Sequence, residues 1–563
     1  MAMACSTYLG LTIRTPKTGD FCRWWNRRLP LQVLAWELQS EHPAPIVAVR
    51  VNNVLEDLEF VPSRDCQVEM VDMSSEIGLR VYAKSLTFIL MRAAKELFPD
   101  QQLEIQFSLN KGFYGEMLGD QTLTPEMVDR LRERMWDIVR AAEPIERRVV
   151  KPEEAIRLLT EADRMGQAKI LRYRKQDLVN IYSCGEFIDF SDEILVPHTG
   201  LITTYQLVHH VSGFLLRFPD QSDPFRIPDN VEQKKLSFIF RESDKWSKIV
   251  KVSDVCDLNR YIETEETGEL IRIAEALHEK KIAQIADQIA AEPEKHRLIL
   301  IAGPSSSGKT TFAQRLKIQL RVNGMNPVTL STDDYFFPRT ETPHDEFGKP
   351  DYESIHAVDC DLINKHLSQL IQGEDVEIPY YNFHTGEREY RGKYLTIDLN
   401  QPIIIEGIHG LNEKLTQAVD RSNKFKIYVS ALVELNLNPM NHIKTTDARC
   451  IRRIVRDFQF RSHSPQRTLE MWPSVRRGEG RWIFPFQEEA DVMFNSALVY
   501  ELAVLSRYAI PLLQQVNSDE EVYGEAQRLL TLLDYFLPVN HDEIPNNSIL
   551  REFIGGSCFF KEH

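Results

Sequence analysis

Residues 297–320 read RLILIAGPSSSGKTTFAQRLKIQL, and no other stretch restricts the fold as tightly. The apolar run 298–302 is short and rich in branched residues, as a buried strand is. It stops at Gly303, and four small residues then lead to Gly308, Lys309 and Thr310. Phe312, Ala313, Leu316, Ile318 and Leu320 follow with helical spacing. This is G-x-x-x-x-G-K-[ST] between a strand and a helix, the setting in which the motif cradles phosphates. The glycines let backbone N–H groups turn in around phosphate oxygens, and the helix N-terminus adds its positive dipole end. The stretch predicts a nucleoside triphosphate site lined by Gly303, Ser305, Ser306, Ser307, Gly308, Lys309, Thr310 and Thr311. Lys309 would reach the β and γ phosphates, and the Thr310 hydroxyl would ligate Mg²⁺.

At 563 residues the chain exceeds a single core, and its length points to roughly three or four domains. A formal charge of −16 argues against a broad nucleic-acid surface. The 8 cysteines are scattered without a CxxC pair, which fits a reducing, cytoplasmic setting with neither a disulfide framework nor a zinc site. No apolar run approaches ~20 residues, so no membrane span is expected. The N-terminus shows no clear secretory signal pattern.

Along the first half, residues 1–30 show no usable periodicity, whereas 45–75 alternate apolar and polar around turns at Asn52-Asn53 and Pro62-Ser63. That pattern predicts a small β-rich module. Leu86, Ile89, Leu90, Ala93 and Leu97 mark a helix, and an amphipathic helix is expected over 125–142. Residues 181–194 are strand-like and 201–218 mix strands with turns. A charged, hairpin-bearing stretch is expected at 232–251 and helices over 253–296. His198, His209 and His210 lack partners at metal-ligand spacing and read as structural.

In the second half, residues 327–331 form a second strand that ends in Asp333 and Asp334. A carboxylate beside the phosphate loop can accept a proton from an attacking hydroxyl, and Asp334 competes with Asp333 for that role. Residues 378–383 (IPYYNF) suit either a base-stacking platform or a small core hairpin. PIIIEGIHGL at 402–411 is a fully buried strand delivering Glu406, assigned to Mg²⁺. A helix over 446–460 carries Arg449, Arg452, Arg453 and Arg456, with Arg461 just beyond. With Asp447 and Asp457 as the only local acids, the arginines are read as a lid that clamps a transferring phosphoryl group. A helix at 525–537 followed by a loose end completes the chain.

GPSSSGKT, STDDYF, IPYYNF, IIIEGIHGL and RRIVRDFQFRSHS stand in the order of the uridine kinase and phosphoribulokinase family, which 297–517 resembles. The resemblance implies Asp333 as base, Thr310 and Glu406 at Mg²⁺, and Lys309, Arg456 and Arg461 in catalysis. It further implies Asp351, Tyr352, Glu353, Tyr381, His384 and Arg453 on the acceptor side. KELFPD, GFYGEM and CGEFIDFSDEILVPHTG resemble the N-terminal half of threonyl-tRNA synthetases, a TGS module and editing domain. Lys84, Phe88, Ser191 and Leu195 fall where that family's HxxxH and CxxxH ligands stand, so the editing chemistry is expected to be absent.

The expected architecture is multidomain α/β and α+β. It comprises a TGS-like module (1–78), an editing-like α+β domain (79–245), a helical linker (246–296), a P-loop kinase-like domain with a mainly parallel sheet (297–517) and a tail (518–563). The expected activity is ATP-dependent phosphorylation of a small molecule, foremost the 5′-hydroxyl of uridine or cytidine. A polyol, a sugar phosphate or pantothenate is the alternative acceptor. A nucleotide-dependent, RNA-binding regulator is the reading of a different class. Nucleic acid would be confined to the N-terminal half, and homo-oligomerisation stays open.

Overall fold

The computed structural model describes residues 8–560 apart from 18, 120, 121, 399, 400 and 434. Cys5 therefore lies outside the described residues, and the other seven cysteines are free.

The first sheet orders its strands Gly19–Asn26, Tyr8–Thr15, Cys66–Asp72, Ile46–Val51 and Val54–Glu56. Tyr8–Thr15 pairs parallel with Cys66–Asp72, and the remaining pairs are antiparallel. The β-rich module thus begins well before residue 45, which corrects the expectation that 1–30 carry no pattern. Leu9, Leu11 and Ile13 alternate into the core beneath helix Leu31–Leu38. Their period-2 signal is short and is followed by the polar, aromatic hairpin partner GDFCRWWN.

The second unit sets an antiparallel sheet of Gln206–His210, Gly213–Arg217, Gly112–Met117 and Leu103–Leu109 against helices Glu76–Leu97 and Pro125–Ala141. Phe88 and Leu195 are each 1% exposed and pack in this core. Neither can serve as a ligand there. Ser191 is buried and bonded to the backbone of Glu193. His209 bonds the Leu123 carbonyl at 3.0 Å. The described residues contain no cluster of three His, Cys, Asp or Glu able to hold a metal.

The C-terminal sheet is wholly parallel, ordered Val328–Ser331, Ile403–Glu406, Leu298–Ala302, Lys424–Ser430 and Val492–Asn495. The strand before the phosphate loop is its centre. Ile299 and Ile301 face the layer containing helix Lys309–Val322, while Leu298 and Leu300 face helix Cys360–Ile371. Burial on both faces is why this strand reads as a continuous apolar run rather than an alternation.

Three expectations are corrected here. Residues Lys234–Val250 form a helix, not a hairpin, and the 245/246 division falls inside it. Leu236, Ile239, Phe240, Ser243, Ser247 and Val250 are its buried positions, and the two serines on that face disguise the helical period. The expected linker is a structural layer. Helix Thr267–Ala290 buries Ile282, Ile285 and Ile289 in the core of the parallel sheet, and its Glu279 pairs with Arg315 of the phosphate-loop helix at 2.6 Å. The expected loose end is likewise packed: Ile549, Leu550 and Phe553 are fully buried in that same core.

The two halves share apolar packing. Phe107 and Tyr114 of the N-terminal sheet meet Phe240, Tyr428 and Leu432 in one cluster, with the Phe107 and Phe240 rings stacked at 3.8 Å. Among the described residues no helix is long and apolar enough to cross a membrane.

Candidate active site

The phosphate loop follows strand Leu298–Ala302 at the carboxyl edge of the sheet, where open parallel sheets bind ligands. Gly303 must be glycine because a Cβ there would lie 2.0 Å from the Val429 carbonyl oxygen. Gly308 caps helix Lys309–Val322 with φ +80°. Lys309 folds back over the loop and donates to the Pro304 carbonyl at 3.1 Å. Burial pulls its ammonium below the ordinary lysine value, opposed by the surrounding carboxylates of Glu406, Asp333, Glu552 and Glu353. That set places four of the chain's acids around one lysine.

Asp333 sits in the short turn Thr332–Tyr335 after its strand, and its amide is capped by the Ser331 hydroxyl at 3.3 Å. The same hydroxyl donates to Glu406 at 3.0 Å. Burial first, then the Asp333 charge, pushes the Glu406 carboxyl up to about 7. Asp334 faces away, accepting from the Tyr381 amide at 3.3 Å, and burial pushes it up to about 6. The structure thereby separates the two adjacent aspartates: Asp333 is the one whose charge weighs most on Lys309 and Glu406. Glu353 is raised to about 7 by burial, and its Oε2 is buried without a hydrogen-bond partner. Gly478 allows that approach, since a Cβ there would stand 2.3 Å from the Cβ of Glu353.

The arginine helix spans Thr445–Arg461. Its expected lid role divides. Arg449 and Arg452 are 1% and 0% exposed, and they brace the loop from behind. Arg449 donates to the Ser305 carbonyl at 2.9 Å and pairs with Glu479. Arg452 donates to the Ser306 carbonyl at 3.3 Å and pairs with Glu501. Those glutamates arrive from helices Pro465–Trp482 and Glu501–Leu513, distant in sequence, so counting local acids could not find them. Arg453 donates to the Ser305 hydroxyl at 2.7 Å. Arg456 bonds Asp457 at 2.6 Å, and Arg461 lies 3.7 Å from the same carboxylate. Arg461, 38% exposed, is also within electrostatic reach of Asp333. Arg453, at 3.2 Å, joins Arg456 and Arg461 around the Asp457 carboxylate, so three guanidinium groups share a single acid.

On the acceptor side, Asp351 is buried and caps the Glu353 amide at 3.2 Å, while Tyr352 is half-buried. Tyr381 is only 5% exposed, wedged between Phe336 at 5.7 Å and Phe383 at 5.0 Å. It lies in a hairpin with Glu387–Glu389, so of the two readings of IPYYNF the hairpin is the one formed. His384 is exposed, and its backbone amide donates to the Asn382 side chain at 3.1 Å.

A residue that the sequence did not single out enters the loop. Glu552, from the tail helix Arg551–Ile554, accepts from both the amide and the hydroxyl of Thr311.

A parallel sheet with a phosphate loop at its carboxyl edge and acids opposite the loop lysine defines a P-loop nucleotide-binding domain. Residues 298–503 match the Phosphoribulokinase / Uridine kinase family. A separate similarity is to threonine–tRNA ligases, through the N-terminal region. That of Coxiella burnetii is 27% identical over 184 residues, or 32% of this chain and 28% of the ligase. That of Nitratidesulfovibrio vulgaris is 31% identical over 180 residues, again 32% and 28%. The chain spans little more than a quarter of the length of these curated relatives. Among solved structures, a possible uridine kinase from Bacillus stearothermophilus aligns over 38% of this chain and 98% of that one, at 19% identity and a TM-score of 0.28.

Proposed function

We propose that this chain is an ATP-dependent small-molecule kinase whose foremost acceptor is the 5′-hydroxyl of a nucleoside, uridine or cytidine. The observation that carries the reading is the convergence of Asp333, Glu406 and Glu353 on Lys309 beside the phosphate loop. Lys309 and the loop amides hold the donor phosphates. Asp333 accepts the proton of the acceptor hydroxyl, and Arg456 and Arg461 offset charge on the phosphoryl group.

The residues fit a magnesium ion. Mg²⁺ is commonly held by one or two carboxylates plus substrate phosphates, so a three-ligand protein cage is not required. The Asp333 charge raises the cost of ionising Glu406, and Thr310 offers a hydroxyl at the head of the helix. Thr310 and Glu406 would hold the ion, which supplies positive charge against the β and γ phosphates when bound.

The buried Tyr381 ring and the exposed His384 favour a second reading on the acceptor side only, in which a polyol, sugar phosphate or pantothenate replaces the nucleoside. The test is ADP release with Mg-ATP against nucleosides, polyols and pantothenate, with Lys309→Ala as blank. A response to uridine or cytidine supports the nucleoside reading. A response only to another acceptor moves it to the second. ATP binding without any acceptor-dependent release overturns both in favour of a nucleotide-dependent regulator.

A further inference from the structure

Away from the phosphate loop, a cavity of about 110 Å³ lies where the two halves meet. Its walls come from helix Glu76–Leu97, the segment leading into the arginine helix, and helix Tyr523–Asp534. One buried water needs at least roughly 10–15 Å³ of such space, so the cavity has room for several.

Most charges on its wall are answered within the fold. Arg528 grips Asp447 at 2.7 and 2.8 Å. Arg80 lies 3.1 Å from Glu525 and 3.4 Å from Glu193. Asp192 accepts from the Tyr535 hydroxyl at 2.8 Å. Lys84 is different: among the described residues its ammonium makes no hydrogen bond and no ion pair, and the charges of Glu193, Asp189 and Asp192 offset its desolvation only from a distance, against the like charge of Lys444. Lys444 comes no closer than 3.9 Å to that same carboxylate, beyond hydrogen-bonding range. Two ammonium groups thus line one cavity with their donors unused. A half-buried cation without a bonded partner loses hydration that nothing in the fold replaces, and an apolar side chain of similar volume would avoid that cost. Ile105, Met440 and Ile443 give the rest of the wall an apolar character.

We propose that this cavity binds a small oxyanion, a carboxylate or phosphate carried on a short body, whose oxygens are taken by Lys84 and Lys444. The site lies apart from the phosphate loop and does not depend on the kinase reading. Its oxyanion could be inorganic or organic, and two probes separate these sources.

The experiment is calorimetric titration of the full chain carrying Lys309→Ala, which weakens anion binding at the phosphate loop, with inorganic phosphate and with L-lactate. One saturable site per chain for either probe is expected. Lys84→Met should weaken it by about tenfold or more, a difference of roughly 1.4 kcal/mol. Lys95→Met, at a half-buried lysine outside the cavity that pairs with Asp163, should leave it unchanged. The thermal midpoint of Lys84→Met should hold or rise, because the change removes an unpaired, half-buried charge. Lys444→Met, on a different element and 34% exposed, must weaken the same binding, and it decides the matter if Lys84→Met fails to fold. Absence of saturable binding for both probes, or binding indifferent to both substitutions, overturns the proposal.

Discussion

The carboxylate of Glu552 accepts two hydrogen bonds from Thr311, one from its amide at 3.1 Å and one from its hydroxyl at 2.8 Å. A residue near the end of the chain therefore occupies donors in the first turn of the phosphate-loop helix, where the dipole favours anions. Ile549 beside it stands 2.5 Å from where a Gly308 Cβ would lie, and Phe553 packs 5.0 Å beneath the Arg452 guanidinium. A phosphate bound as proposed at the loop would compete with the tail carboxylate for the Thr311 donors.

Glu552→Gln removes the competing charge while keeping the shape of the tail. It should tighten ATP binding by about three- to tenfold, measured by nucleotide titration. Unchanged affinity would show that the phosphate reaches the loop without displacing the carboxylate. Deleting the tail is the poorer variant, because it would expose the buried Ile549, Leu550 and Phe553.

Lys309→Ala should abolish turnover, whereas Asp333→Asn should keep ATP binding and lower acceptor-dependent ADP release by about 10²–10⁴-fold. Asp334→Asn should leave the rate within a few-fold, since Asp334 is bonded to the Tyr381 amide. Full activity in Asp333→Asn would transfer the base role elsewhere.

The Glu406 carboxyl is raised to about 7 from 4.5, so the folded chain binds this proton more tightly than the unfolded chain does. Its contribution is fully present below pH 4.5 and is lost as pH rises through 7. The midpoint of thermal unfolding without ligand should fall over that window, and less steeply in Glu406→Gln, by roughly 2–4 °C for each kcal/mol. Mg-ATP should flatten the wild-type profile, because a bound cation favours the ionised carboxylate. Parallel wild-type and variant profiles would remove Glu406 from this account.

Arg452→Met strands the buried Glu501 carboxylate and should destabilise the fold by about 3–5 kcal/mol, read by denaturant unfolding. Arg461→Ala, at a partly exposed position, should leave stability within about 0.5 kcal/mol and lower turnover. An Arg452→Met protein of wild-type stability would contradict the bracing role.

The phosphate loop and the parallel strands were legible because their signals are local. A glycine-rich turn needs its glycines in order, and a strand buried on both faces must be apolar throughout. Asp333 and Glu406 could be placed for the same reason, each following directly on its strand. The helix Lys234–Val250 is hidden in the sequence because Ser243 and Ser247 stand on its inner face, which only the packing against a second sheet reveals.

The sequence by itself determined the nucleotide-binding half: the order of its strands' residues, the loop that joins strand to helix, and the carboxylates that follow. Tertiary structure alone decided which arginines have an acid to themselves, which share Asp457, and what meets the first turn of the phosphate-loop helix. Arg449 and Arg452 face Glu479 and Glu501, and Thr311 faces Glu552, across separations of 30, 49 and 241 residues. Electrostatic pairing acts through space, and in a buried site the nearest opposite charge governs whether a group holds the fold or remains available to a ligand.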